Sequence, residues 1–220
     1  MSASRAAIIN LVREGRGTGE AKSSGRRELR RDAAANRDRV LAAAAAAIRR
    51  EGTGVPIATI AADAGVGVGT LYRRYPSREA LLAALTLQSF RLVLDAAQSA
   101  ADCSDSGIVA LRRFIEQTIE HGPELVLPMH GGPLPLDEDA VALRSEVHAT
   151  IEKVLRRGRK DGTIRPDVTA FDIIVFGALL AQPLPHVPDW RSAARRQAKI
   201  YFDGLVSKAP QRPGLTLRSF

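Results

Sequence analysis

Cysteine occurs once in the 220 residues, at Cys103, which rules out an internal disulfide and any zinc site built on paired cysteines. Long apolar runs are scarce as well. None approaches the roughly 20 residues that a membrane-spanning helix needs, and Asn10 and Arg13 interrupt AAIINLV before it can serve as the apolar segment of a signal peptide. The chain is therefore expected in the cytoplasm, with no membrane partner. Catalytic signatures are missing too: there is no nucleophile elbow, phosphate loop or metalloprotease pair. His121, His130, His148 and His186 are scattered without the i, i+4 spacing of a helical metal site. No cofactor and no metal are expected, and the chain reads as a non-enzyme.

What the sequence does hold is positive charge, unevenly placed. Of the net charge of +8, residues 1–90 carry +7, with 15 Lys/Arg against 8 Asp/Glu, whereas residues 91–220 are close to neutral, with 17 against 16. A basic segment followed by a near-neutral one is the footprint of a phosphate-binding head on a second domain, and the length suffices for both cores. Residues 1–30 are rich in Gly, Ser and Arg with little apolar periodicity, so they read as a basic, mostly disordered extension. It is either a solubilising tail or an arm whose Arg26, Arg27, Arg30 and Arg31 reach phosphates or a minor groove.

The most informative stretch is PIATIAADAGVGVGTLYRRYPSREALL, residues 56–82. Pro56 suits a helix start, and Ile57, Ile60, Ala61 and Ala64 recur at helical spacing until Gly65 supplies a left-handed end. A second short helix follows after Gly67. In it Leu71 and Tyr75 can face inward, which leaves Val68, Gly69, Thr70, Tyr72, Arg73 and Arg74 on the open face. Two helices joined by a glycine-containing turn make a helix-turn-helix unit, whose second helix enters a DNA groove. The alternation of Gly65, Gly67 and Gly69 also suggests a dinucleotide-binding loop, but that fingerprint needs a preceding strand, and a helical pattern precedes here.

Ile60-Ala61, Ala64-Gly65-Val66, Gly69-Thr70-Leu71-Tyr72, Tyr75-Pro76 and Ser77-Arg78-Glu79-Ala80-Leu81 together resemble the N-terminal signature of the tetracycline-repressor (TetR) family. The resemblance implies an all-α homodimer, usually a repressor, whose larger C-terminal domain binds a small molecule that releases operator DNA. Two positions depart from the common pattern: Gly67 stands where a serine N-cap is frequent, and Arg78 replaces a lysine. The DNA-facing set is then Gly67, Val68, Gly69, Thr70, Tyr72, Arg73, Arg74 and Arg78. Tyr72, Arg78 and the basic N-terminal region are assigned to phosphates, and Val68, Gly69 and Thr70 to base edges.

Along the rest of the chain the periodicity stays helical. Residues 31–51 form a first helix, with Val40, Leu41, Ala44, Ala45 and Ile48 inward, so the head is set at 31–78. The second domain spans 79–208, and 209–220 is a loose tail. Ser77 caps a long helix to about Ala101 that joins both domains; further helices run from Ile108, from Asp137, from Ala170 and from Trp190. Asp137, Glu138 and Asp139 sit in a helix's first turn, where acids meet its dipole. Helical phase and the family's usual pocket place Phe90, Phe114, Thr118, His121, Met129, Val147 and His148 around a mainly apolar effector. The last two helices have broad apolar faces, and the resemblance implies that they form a four-helix bundle with a second copy through Phe171, Ile174, Ala178, Ala198, Tyr201, Phe202 and Leu205. Periodicity alone is equally compatible with those residues being monomer core. A DNA-binding regulator without an effector is the alternative reading of the function.

Overall fold

The computed structural model describes residues 34–102, 105–126, 136–184 and 186–206. The expected disordered extension, Cys103, Met129, His130 and the loose tail lie outside them. All regular structure among the described residues is helical. In chain order the elements are α1 (residues 34–51), α2 (Ile57–Asp63), α3 (Val68–Arg74), α4 (Arg78–Ala101), α5 (Gly107–His121), a 3-10 turn (Gly122–Glu124), α6 (Glu138–Lys160), α7 (Ala170–Ala181) and α8 (Trp190–Leu205).

Two hydrophobic clusters carry the fold. The head cluster takes Val40, Leu41, Ala44 and Ile48 from α1, Ile60 and Ala61 from α2, Leu71 from α3, and Tyr75. It also takes Leu81 and Leu85 from α4, beyond the position where the sequence sets the head's end. The larger cluster surrounds α5, which packs on α4, α6, α7 and α8. Phe114, Ile115, Ile151, Leu155, Ile173 and Phe202 lie fully buried there. Where the N-terminus of α5 crosses the end of α6, a Cβ on Gly107 would lie 2.3 Å from the Gly158 Cα, so the crossing needs a residue without a side chain.

The helix ends follow the capping logic. Ser77 Oγ accepts from Ala80 N at 3.2 Å, and Asp137 Oδ1 accepts from Ala140 N at 2.8 Å. Thr169 and Asp172 form a reciprocal capping box at the start of α7. Asp161, in the turn after α6, accepts from Gly107 N and Thr163 N and so caps α5 from a distance of 54 residues in sequence.

α4 corrects one expectation. By length and composition it is apolar enough to cross a bilayer. Its buried residues, from Leu81 to Ala100, face the head and α5 and α6, while Arg91 and Asp95 are exposed, as in a core helix of a two-domain protein.

A second connection joins the domains, besides α4. After α5 the chain makes the 3-10 turn and runs extended through Leu125 to Val126, whose side chain belongs to the head cluster. Two fully buried hydroxyls on α4 hold it: Thr86 Oγ1 donates to Val126 O at 3.0 Å, and Val126 N donates to Ser89 Oγ at 2.8 Å. Arg49 Nη1 of α1 donates to the Pro123 carbonyl of the same segment.

Candidate nucleic-acid interface

The turn between α2 and α3 is built from backbone geometry. Gly65 adopts φ +65, and the hydrogen bonds Gly65 N to Ala62 O and Val66 N to Ala61 O, both 3.0 Å, complete a Schellman end for α2. Gly67 then stands at the N-cap of α3 with an extended backbone and no side-chain bond. Leu71 and Tyr75 are buried, at 2% and 8% exposure, as their spacing predicts. Gly67, Val68, Gly69, Thr70, Tyr72, Arg73 and Arg74 all lie exposed on one short helix.

The electrostatics of that face are one-sided. α3 contains no acid, whereas Asp63 at the end of α2 is occupied by Arg50 at 3.0 Å. Arg73 Nη2 donates to Thr70 Oγ1 at 3.1 Å, which orients one guanidinium along the helix, and Arg74 lies 6.0 Å from the Tyr75 ring centroid. Neither arginine has a carboxylate partner among the described residues, so both charges remain available to an outside anion.

Arg78 is placed differently from the phosphate contact expected of it. Its guanidinium is half-buried and donates to Thr53 O at 2.5 Å and to Val55 O at 2.6 Å. It ties the α1–α2 turn to the start of α4. The sequence offered no signal for this, because the carbonyls it satisfies lie 25 and 23 residues away.

Comparison with known proteins agrees with this geometry. Residues 40–85 match the family model described as bacterial regulatory proteins, tetR family, and residues 109–207 match the SbtR-like transcriptional regulator C-terminal domain. A TetR transcription regulatory protein from Mycobacterium vanbaalenii is 30% identical, over 81% of this chain and 99% of that one, with a TM-score of 0.59. The chain belongs to the TetR family. The TetR transcriptional regulator SCO0520 from Streptomyces coelicolor is 27% identical over 79% of this chain and 99% of that one, with a TM-score of 0.58. AibR, solved in complex with isovaleryl coenzyme A and operator DNA, is 19% identical over 76% and 96% of the two chains, with a TM-score of 0.59, and shares the fold. No curated protein matches.

In this TetR-family regulator several of the expected effector residues that are described are packed in the helical core. Phe114 and Val147 are 1% and 2% exposed in the main cluster, and Phe90 sits in a satellite cluster with Ala140 and Ala178. The Thr118 hydroxyl is turned back to Phe114 O at 2.8 Å, as a buried helical threonine satisfies itself. His121 is half-exposed and 3.6 Å from Glu124 Oε1. His148 is exposed on α6 and points away from the core that holds its neighbour Val147, which corrects its place in the pocket set. Two clefts among the described residues lie elsewhere on the surface. One of about 690 Å³ is lined by α1, Arg74–Tyr75 and α4; another, of about 470 Å³, lies between α1, Leu125–Val126 and Gln182–Leu184.

The expected dimer residues divide in two. Phe202, Ala198 and Leu205 belong to the monomer's own core, at 1%, 8% and 7% exposure, so for them the alternative of monomer packing holds. Ala178 is also buried, within the satellite cluster. Tyr201 is half-buried and stacks on Phe176, centroids 3.8 Å apart. Phe171 remains 67% exposed, and with Leu179 at 59%, Ile200 at 56% and half-buried Ile174 it leaves apolar side chains on α7 and α8 uncovered.

Proposed function

We propose that this TetR-family transcriptional regulator is a cytoplasmic repressor that grips a palindromic operator as a homodimer, one α3 in each of two successive major grooves. The observation that carries the reading is the exposed face of α3: acid-free, with Thr70, Tyr72, Arg73 and Arg74 projecting and Leu71 and Tyr75 anchoring it from behind. Val68, Gly69 and Thr70 suit close apolar approach to base edges, and the arginines suit phosphates. The uncovered apolar residues of α7 and α8 supply a surface for pairing two copies, which fixes the spacing of the two heads. A palindromic duplex drawn from the region upstream of the chain's own gene should bind two chains with an affinity that falls steeply with salt. Fluorescence anisotropy against a scrambled duplex tests this; equal affinity for both would remove the operator reading.

Release by a small, mainly apolar effector completes the proposal; AibR, which shares the fold, was solved in complex with isovaleryl coenzyme A and operator DNA. The alternative, a regulator with no effector, is favoured by the dense packing of Phe114, Thr118 and Val147. A thermal-shift screen of apolar acids and alcohols separates the two. A hit that also lowers operator affinity supports the effector, and a stabilising compound with no such effect does not.

A further inference from the structure

The cleft of about 690 Å³ between α1, Arg74–Tyr75 and the middle of α4 falls within the size range of small-molecule sites. It lies outside the packed interior of the second domain. Its wall is apolar where Leu41, Ala84, Leu87 and Leu92 line it, and cationic where Arg74 and Arg91 do. Arg37 is already spoken for by Asp38 at 3.0 Å. Arg74 and Arg91 have no carboxylate partner among the described residues, and neither has the Tyr75 hydroxyl a hydrogen-bond partner. The Gln88 Oε1 atom on the same wall is buried without a partner and, as an acceptor, it calls for a donor and adds nothing to anion binding. Asp95, the other acid on the wall, stands one turn beyond Arg91.

We propose that this cleft binds a small amphiphilic anion, with a phosphate, sulfonate or carboxylate head held by Arg91 and Arg74 and an apolar body lying along Leu41, Leu87 and Leu92. Two guanidinium groups supply charge-assisted donors, the Tyr75 hydroxyl supplies a neutral one, and the leucines exclude water from the tail. Occupancy has a consequence for DNA. Arg74 ends the recognition helix, so an anion that takes it competes with a DNA phosphate for the same charge, and the ligand bridges the head to α4. The binding stands on the cleft alone; only the competition rests on the DNA-binding reading.

Octyl phosphate, below its micelle-forming concentration, is the probe. Isothermal titration into the full chain is expected to show one saturable site per chain, with inorganic phosphate and octanol each weaker by about tenfold or more, the worth of one charge-assisted bond or of a buried alkyl chain. Arg91→Ala should weaken octyl phosphate by about tenfold while leaving duplex affinity unchanged, and Asp95→Asn should bind it as well or better. Equal binding by Arg91→Ala and the wild type, or equal binding of octanol and octyl phosphate, overturns the site. Because Arg91 is exposed, its variant should fold, and Arg91→Gln provides the same test if it does not. In the anisotropy assay saturating octyl phosphate should weaken duplex binding in the wild type and not in Arg91→Ala. A chain that binds octyl phosphate with unaltered duplex affinity overturns the competition alone, and a chain that binds octyl phosphate but no duplex overturns the DNA reading alone.

Discussion

Arg78 shows how a correct residue type can hold a different post from the one its motif suggests. Its two backbone acceptors, Thr53 O and Val55 O, make it a tie between loop and helix, so Arg78→Ala should destabilise the head by about 1–3 kcal/mol in urea unfolding. The salt dependence of DNA binding should instead respond to Arg73→Ala and Arg74→Ala, each flattening the slope of log K against log salt by about one. Phe202 is another residue whose burial decides its phenotype. Truncating this fully buried ring to alanine should cost about 3–5 kcal/mol of stability in a single chain, before any question of assembly arises. Acid sensitivity has a local source. Desolvation tends to raise the pKa of Asp161, but its hydrogen bonds from Thr163 and Gly107 and the nearby Arg157 outweigh that and hold it below the usual carboxylate range. A depressed folded-state pKa means that the stabilisation is present above the unfolded value and is lost as pH falls through the folded one. Asp161→Asn should therefore unfold with a shallower loss of stability between pH 5 and pH 2, ranges that follow from ordinary carboxylate titration at about pH 4; a melt series across that window measures it.

At the scale of elements, the α7–α8 pair makes the sharpest test of assembly. Phe171→Glu places a charge on an exposed ring and should leave the monomer folded while dissociating the dimer, visible as a halved mass in light scattering. An unchanged mass would move the interface to another face. The contrast between Phe171 and Phe202 also shows where the sequence stops being informative. Period 3.6 finds the apolar face of a helix, and it placed Leu71, Tyr75 and Ile48 inward and Val68 and Tyr72 outward. It does not say which apolar stripe meets the chain's own core and which is left for a partner, because both obey the same period. Capping was legible for the same local reason at Ser77, whose bond to Ala80 N spans three residues, whereas Asp137, expected in a first turn, stands one position earlier as the N-cap. The candidate cleft was not, since Leu41, Arg74 and Arg91 come from three elements and only the packing of α1 on α4 brings them together. Thr86 and Ser89 were equally silent in the sequence. A hydroxyl on an apolar stripe is as readily satisfied by the carbonyl one turn back, as Ser89 is by Leu85 O, so the incoming segment could not be read from it.

For the molecule as a whole, charge and connectivity have different consequences. The basic first 90 residues and near-neutral remainder place the attraction for DNA at one end, so high salt should loosen the complex without loosening the fold. Connectivity works in the opposite sense, binding the two ends together. Val126 completes the head cluster from a position after α5, and its amide and carbonyl are the partners of Ser89 and Thr86. A head cut off after α4 would thus leave Thr86 without its acceptor, Ser89 with only Leu85 O, and a gap where a valine should be. Such a fragment should melt at a lower temperature and less cooperatively than the intact chain. The intact chain should accordingly unfold as a single cooperative unit, its calorimetric and van't Hoff enthalpies equal, and Val126→Ala should lower that one transition rather than split it.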